Sequence, residues 1–334
     1  MRIALDAMGG DKAPGAPVEG ALAALEVYPD LHVLLVGDPT VLEKELSARG
    51  GKPARVEIIP SEGVVAMDEE PVRAMKGKPR NSARVAAELL GQGKADGVVN
   101  IGSTGGAVAA ATIFCQRIPG VSRLGIAVPF PRRKGVTIVI DCGGNVDVRP
   151  DHLYVYAVMA RHYARVAVGV EKPTVGILSV GEEEHKGNKL VKETWEIFKR
   201  HPVEGFIGNI ESRDVFGEGA DVVVCDGFVG NILLKAAEGL GEMMIGIVKA
   251  ALPTVPGAKG ILQELVQKLD YAEYGGAPLL GVRGAYIIGH GRSDGRAVKN
   301  AIRVAREYVI GGVEKRILDD LAEAGDLRPP GTPS

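Results

Sequence analysis

Short apolar runs rich in Val and Ile alternate along this chain with longer stretches of helical period. The first run, Ile3-Ala4-Leu5, ends in Asp6-Ala7-Met8-Gly9-Gly10-Asp11. Pro14, Gly15 and Pro17 then precede an Ala/Leu-rich helical segment. This reads as strand, glycine turn, helix. The same cadence predicts strands at Arg2–Leu5, His32–Gly37, Arg55–Ile59, Gly97–Ile101, Gly125–Pro129, Val136–Ile140, Thr174–Val180, Gly205–Gly208, Asp221–Cys225 and Ala285–Ile288. Helical patterns lie between many of them, at Val18–Val27, Val41–Arg49, Ser82–Gly91, Gly106–Gln116, His152–Val168 and Lys189–Arg200. Asp38 and Pro39 supply an N-cap and a first helical position for the second of these. Strand runs without polar alternation suit strands covered on both faces. The pattern predicts an α/β fold with a doubly wound, mostly parallel sheet and right-handed crossovers.

Three segments break the rhythm. Residues 60–81 read as a long mixed loop, of a kind that is functional or mobile more often than a plain connector. Residues 244–270 hold two helical stretches joined by Leu252-Pro253-Thr254-Val255-Pro256-Gly257, which predicts a protruding helical hairpin. Residues 325–334 read as a disordered tail. The remainder, 1–324, reads as one large α/β catalytic domain or two lobes, and no internal repeat recurs at a fixed period.

Composition narrows the class. With 334 residues and 46% apolar content the chain can bury a large core. Glycine is the outlier: 46 residues, roughly twice the usual share of about 7%. The net charge of −2 carries no bias toward nucleic acid. Cys115, Cys142 and Cys225 follow no disulfide or metal spacing, which predicts a reducing compartment and no resident metal. No run approaches the ~20 apolar residues of a membrane span, and no signal peptide precedes the first strand. The expectation is a soluble, cytoplasmic protein.

In open α/β sheets, ligands bind beyond the carboxyl ends of the strands. Six polar-glycine clusters are predicted there: Asp6–Asp11, Gly102–Gly106, Asp141–Asn145, Gly181–Asn188, Asp226–Asn231 and Gly289–Ser293. Each offers backbone donors, and most open a helix whose positive end favours an anion. Any one could be an ordinary tight turn; six together point to a phosphate-bearing substrate. GHGRSDG at 289–295 loosens the spacing of a dinucleotide fingerprint, and no P-loop lysine signature occurs.

Single residues carry two readings each. Lys186, in GEEEHKGN after an apolar strand, could neutralise a phosphate or a developing oxyanion, or belong to a solvated charge run. Asn231 could offer amide donors or serve capping at a helix start. His290 could be an acid or base, or a turn residue. Cys225 could be a nucleophile, though nothing in the sequence supplies a base and a small buried cysteine is the commoner case. Two basic clusters, Arg73/Lys76/Lys78/Arg80 and Arg132/Arg133/Lys134, could dock an acidic partner or be solvated loops. The apolar positions at helical spacing in 244–270 suit a dimer or core surface, with membrane contact by the tip as the alternative.

The ordered motifs DAMGGD, IGSTGGAVAA, DCGGNVD, GEEEHKGN, IGNIESRD, DVVVCDGFVGNILLK, EYGGAPLLGV and HGRSD…KNAI resemble the bacterial phosphate acyltransferase family of phospholipid synthesis, over residues 1 to about 310. The resemblance implies transfer of a long-chain acyl group from acyl carrier protein to inorganic phosphate, giving acyl phosphate. It implies no cofactor, a homodimer, and a fold like the isopropylmalate dehydrogenase and phosphotransacetylase group. It also implies delivery of product to a membrane glycerol-3-phosphate acyltransferase, with peripheral contact at the inner membrane face. Carried over by motif, Lys186 and Asn231 are the expected catalytic residues. Asp6, Gly9, Gly10, Thr104, Gly105, Asn145, Asp226, Gly227 and His290 are expected at substrate or phosphate. Arg73, Lys76, Arg132 and Arg133 are expected to dock the acidic carrier protein. Ser103 and Ser179 stand where the family usually has an asparagine, which puts a direct ligand role at 103 in doubt. A coenzyme A-dependent phosphotransacylase, a dehydrogenase sharing the fold, and a non-catalytic membrane scaffold remain as alternatives.

Overall fold

The N-terminal apolar run becomes β1 (Arg2–Asp6), paired in parallel with β2 (His32–Gly37) on one side and β4 (Gly97–Asn100) on the other. The structure is a computed structural model that describes residues 1–66, 69–251, 260, 271–325 and 327. The chain divides into two compact units, the first built from 1–127 with 274–325 and the second from 128–273.

In the first unit the strands lie in the order β3 (Val56–Pro60), β2, β1, β4, β11 (Ala285–Ile288), β10 (Ala277–Leu280). The first five run parallel. β10 is antiparallel to β11 and to the start of β5 (Gly125–Pro131). Its four residues, APLL, contain Pro278, which removes a ladder donor and hides the strand from the apolar cadence. Around the sheet lie α1 (Gly15–Val27), α2 (Pro39–Ser47), α3 (Pro71–Gly77), α4 (Ser82–Gly91), α5 (Thr104–Phe114), α9 (Gly295–Ile310) and α10 (Val313–Ala324). The Asp38 carboxylate accepts from Thr40 and Val41 N–H, as its place before Pro39 predicts. Glu70 does the same for α3, a helix inside the segment expected to be mixed loop. α1 packs on α9, where Gly20 leaves no room for a side chain against Val298. Ile3, Leu5, Val33, Val36, Val98, Val99 and Ile287 are buried completely; each contributes about 1.5–3 kcal/mol of burial.

The second unit carries β6 (Val136–Ile140), β9 (Val222–Val224), β7 (Val175–Ser179) and β8 (Phe206–Glu211), all parallel in that order. Its helices are α6 (Pro150–Ala167), α7 (Lys189–Arg200) and α8 (Gly227–Ala251). α6 is buried all round from His152 to Ala164, the condition of a helix enclosed by its neighbours rather than lying on a surface. α7 buries only one face, where Phe198 meets Tyr154 and Phe206 edge to face. α8 is one helix from the DGFVGN motif to Ala251, so it takes in the first part of the predicted 244–270 hairpin. Residues 252–259 and 261–270 lie outside the described residues, as do 326 and 328–334 of the predicted tail.

Candidate active site

In the second unit three loops follow the adjacent parallel strands β6, β9 and β7. Asp141, fully buried just past β6, turns its carboxylate back on its own loop. Oδ1 accepts from Gly144 N–H at 2.9 Å; Oδ2 accepts from the N–H of Asn145 at 2.7 Å and from its Nδ2 at 3.1 Å. Asn145 Nδ2 also donates to the Tyr156 hydroxyl at 2.9 Å, and its carbonyl accepts from Gly227 N–H at 2.8 Å. That bond ties the loop after β6 to the start of α8. Asp226 caps the same helix, accepting from Val229 N–H at 2.9 Å. Gly230 sits so close to Asp141 that a Cβ there would lie 1.9 Å from the Asp141 carbonyl oxygen. The Asn231 amide rests over Gly143, with its Oδ1 3.5 Å from where a Gly143 Cβ would be. Asn145, Asp226, Gly227 and Asn231 are thereby brought together.

Lys186 lies on the loop after β7, next in the sheet to β9. Its stem runs past Gly181, and its ammonium makes no ion pair among the described residues. Neighbouring charges are committed elsewhere: Lys199 takes Glu184 and Lys189 faces Glu193. The loop is held from below, for Asn209 Nδ2 donates to the Glu183 carbonyl at 2.8 Å while its Oδ1 accepts from Trp195 Nε1 at 2.9 Å. This gives the IGNIESRD motif a physical role that spacing did not disclose. An exposed, unpaired ammonium is suited to an oxyanion.

The surroundings of Cys225 disfavour a nucleophilic role. Burial pushes its thiol well above the usual range, with Asp226 and Asp141 adding to the shift, and Sγ donates to the Asp141 carbonyl. Burial likewise raises Cys142, and pushes Cys115 up to about 12. Thiols held protonated are poor nucleophiles.

The first unit builds a second cluster by the same device. Asp6 Oδ1 accepts from Met8 and Gly9 N–H, both at 3.1 Å, while Oδ2 accepts from Asn100 Nδ2 at 3.2 Å. Burial raises the Asp6 pKa, against the pull of bonds from Ser82, Met8 and Gly9. Asn100 Oδ1 accepts from Gly102 N–H at 2.9 Å. Gly10 has φ +86°, the left-handed region that glycine adopts without strain, and the next N–H reaches the Gly291 carbonyl at 2.8 Å. The loops after β1, β4 and β11 therefore meet. Thr104 and Gly105 are exposed in the first turn of α5; Ser103 caps it, accepting from Gly106 N–H at 3.3 Å. That capping bond gives Ser103 a structural task in place of the family's amide. His290 is exposed, its Nδ1 accepting from Arg292 N–H at 3.2 Å. Asn100, Tyr156 and Asn209 are the linking residues that the motifs alone did not single out. A lone amide or phenol in an apolar segment carries no local signal of what it will bridge.

The basic residues separate. Arg73, Lys76 and Arg133 are exposed. Arg132 is taken up inside the second unit: its guanidinium donates to Asp221 Oδ1 at 2.7 Å, to the Ala220 carbonyl at 3.3 Å and to the Lys134 carbonyl at 3.0 Å. Burial works to raise the Asp221 pKa, but bonds from Thr174 and Arg132 together outweigh it and hold it below the usual value. With the folded pKa depressed, this stabilisation is complete above about pH 4 and is lost as pH falls through the folded value. Asp221→Asn is therefore expected to melt below the parent protein at pH 7. The gap should close on acidification, and thermal melts at a series of pH values check it.

A family model described as "Fatty acid synthesis protein" matches residues 1–316. A protein of Desulfitobacterium hafniense named "Phosphate acyltransferase" is 45% identical over 329 residues, 96% of this chain and 98% of that one. One of the same name from a Cyanothece strain is 45% identical, over 95% of this chain and 94% of its own. The chain belongs to the phosphate acyltransferase family. It is accordingly an enzyme of that type, in fatty acid and phospholipid synthesis. Solved phosphotransacetylases of Streptococcus pyogenes and Staphylococcus aureus share the fold at 18% identity. Their TM-scores are 0.63 and 0.59, with 93% and 92% of this chain covered and 94% of each of theirs. This chain thus shares its doubly wound α/β architecture with those phosphotransacetylases.

Proposed function

We propose that this phosphate acyltransferase moves a long-chain acyl group from the thioester of acyl carrier protein to inorganic phosphate. A phosphate oxygen attacks the thioester carbonyl, the acyl carbon–sulfur bond breaks, and acyl phosphate leaves with the carrier thiol, which takes up a proton. No covalent enzyme intermediate is needed, because phosphate near neutral pH is itself the nucleophile. The enzyme's work is to hold it against the carbonyl, and positioning of that kind supplies ~7–11 kcal/mol of a barrier. The observation that carries the reading is the unpaired Lys186 ammonium on the loop next in the sheet to the strand that leads into Asn231. Lys186 neutralises phosphate or the tetrahedral oxyanion, and the Asn231 amide supplies a further donor. Asp6, Gly9, Gly10, Thr104, Gly105, Asn145, Asp226, Gly227 and His290 shape the substrate loops.

The carrier protein is acidic, and Arg73, Lys76 and Arg133 supply the steering charge. The exposed apolar side chains Leu240, Met243, Met244 and Ile247 of α8 support pairing with a second copy or peripheral contact at a membrane, where a glycerol-3-phosphate acyltransferase would receive the product. Among the described residues no helix is long and apolar enough to cross a membrane.

The testing assay is acyl phosphate formation from palmitoyl carrier protein and phosphate, with palmitoyl coenzyme A in parallel. Turnover is expected with the carrier protein, and the double variant Arg73→Glu/Lys76→Glu should raise KM for it while leaving KM for phosphate alone. Turnover with coenzyme A only would overturn the donor assignment in favour of a coenzyme A phosphotransacylase. No turnover with either would leave a scaffold.

A further inference from the structure

On the loops and helix start near Gly227 the second unit exposes several apolar side chains, four of them by more than half. Val146 is 61% exposed, Val180 82%, Phe228 57% and Ile232 52%. Scattered apolar surface is ordinary, but these four are not scattered. Val146 directly follows Asn145, whose carbonyl holds the Gly227 N–H. Phe228 is the residue after Gly227, and Ile232 lies one helical turn further. β7 pairs with β9 so that Ile177 faces Val224. The ladder stops at that pair, and Val180 is the residue that follows the end of β7.

Their position relative to the polar groups narrows the occupant. Phe228, Asn231 and Ile232 are spaced to share one face of α8. A group that meets the Asn231 amide thus has hydrocarbon on both sides along the helix. Val180 likewise stands immediately before the Gly181–Asn188 loop that carries Lys186. Donors for an anion and bare apolar side chains in one place match a molecule that is polar at its reacting end and hydrocarbon beyond it.

We propose that Val146, Val180, Phe228 and Ile232 form the surface on which the methylenes nearest the acyl carbonyl lie, and that they favour a fatty acyl chain over acetyl. This rests on the acyl-transfer reading above. A methylene withdrawn from water is worth roughly fourfold in affinity. Surface of this extent, covering two or three methylenes, favours a chain that reaches across it over an acetyl group by about tenfold or more.

The test compares the parent protein with Val180→Ser/Phe228→Ser and, as a control, with Val27→Ser, an exposed apolar position on α1. Two ratios are read for 8-carbon against 2-carbon ligands. One is kcat/KM with the acyl carrier proteins; the other is affinity for octyl phosphate, below its micelle concentration, and ethyl phosphate. In the double variant both ratios should fall by about tenfold, and in the control neither should move. Equal loss on long and short chains would overturn the proposal. So would a parent protein that binds both alkyl phosphates alike. A double variant that changes only sedimentation would assign the patch to a second copy of the chain instead. A parent protein that binds octyl phosphate preferentially yet transfers no acyl group would count against the proposed reaction and not against this surface.

Discussion

Lys186→Ala is expected to lower kcat for phosphate-dependent acyl transfer by about 10²–10³, the usual effect of removing one preorganised donor from an oxyanion. The size follows from how Lys186 is kept. Lys199 is paired with Glu184 and Lys189 faces Glu193, whereas the Lys186 ammonium has no carboxylate partner among the described residues. A cation left without a partner has its attraction available for the charge that develops in the reaction. Because the side chain is exposed, its truncation leaves little unsatisfied, and the melting temperature should stay within a degree or two, as surface changes do. Lys186→Arg is expected to recover only part of the rate, since a planar guanidinium does not occupy the place of a compact ammonium. Steady-state rates at saturating phosphate, read beside a thermal melt, check the prediction. A variant keeping more than about a third of the parent rate would remove Lys186 from the oxyanion role.

Gly230→Ala is expected to be the most damaging single methyl group in the site. Its Cβ would fall 1.9 Å from the carbonyl oxygen of Asp141 and 3.0 Å from Cys225 Sγ. Neither can move freely. Asp141 N–H donates to the Cys225 carbonyl at 3.0 Å and Cys225 N–H to the Ile140 carbonyl at 2.7 Å, so the backbone that would have to yield is sheet ladder. α8 must shift instead, carrying Asn231 off Gly143. Overpacking of this kind typically costs about 1–3 kcal/mol. The loss of activity should exceed what that loss of stability explains, because the displaced helix holds the site. Gly239→Ala in the same helix is the counterpart: nothing lies within 4 Å of the added methyl. It should raise stability by roughly 0.5–1 kcal/mol, the helix-interior difference between the two residues. Melts and kcat for both variants decide; a fully active Gly230→Ala would show that the position of α8 does not matter to the reaction.

Particular elements show where sequence reading reached and where it stopped. β2, β6, β11, α4 and α7 were legible to the residue, because each has an unbroken apolar run or a clear cap in its own segment. β10 was not, since four residues with an internal proline have no local reason to extend; they do so because β11 and β5 offer ladder partners on either side. α3 hid in a polar stretch and is fixed by its Glu70 cap and by Pro71 standing over Gly105. In the loop cluster of each unit, Asp6 and Asp141 were visible as acids ending a strand before a glycine turn. That each folds its carboxylate back to clamp the turn is a matter of geometry. Arg132 illustrates the reverse. Its local context is a basic surface loop, and only its contact with Asp221, far along the chain, turns it into a structural residue.

The alternation of strand and helix, the glycine turns at strand ends, and the motifs that place the chain in its family were all written in the order of residues. These are properties of near neighbours: periodicity, capping and backbone freedom act over a few positions. That β11 lies between β4 and β10, which turns meet, and which charges stay unpaired emerged only on folding. Those outcomes depend on contacts between residues remote in sequence, such as Asn231 over Gly143 and Asn145 on Gly227. Their free energy exists only once the chain has closed on itself, so no local pattern carries it.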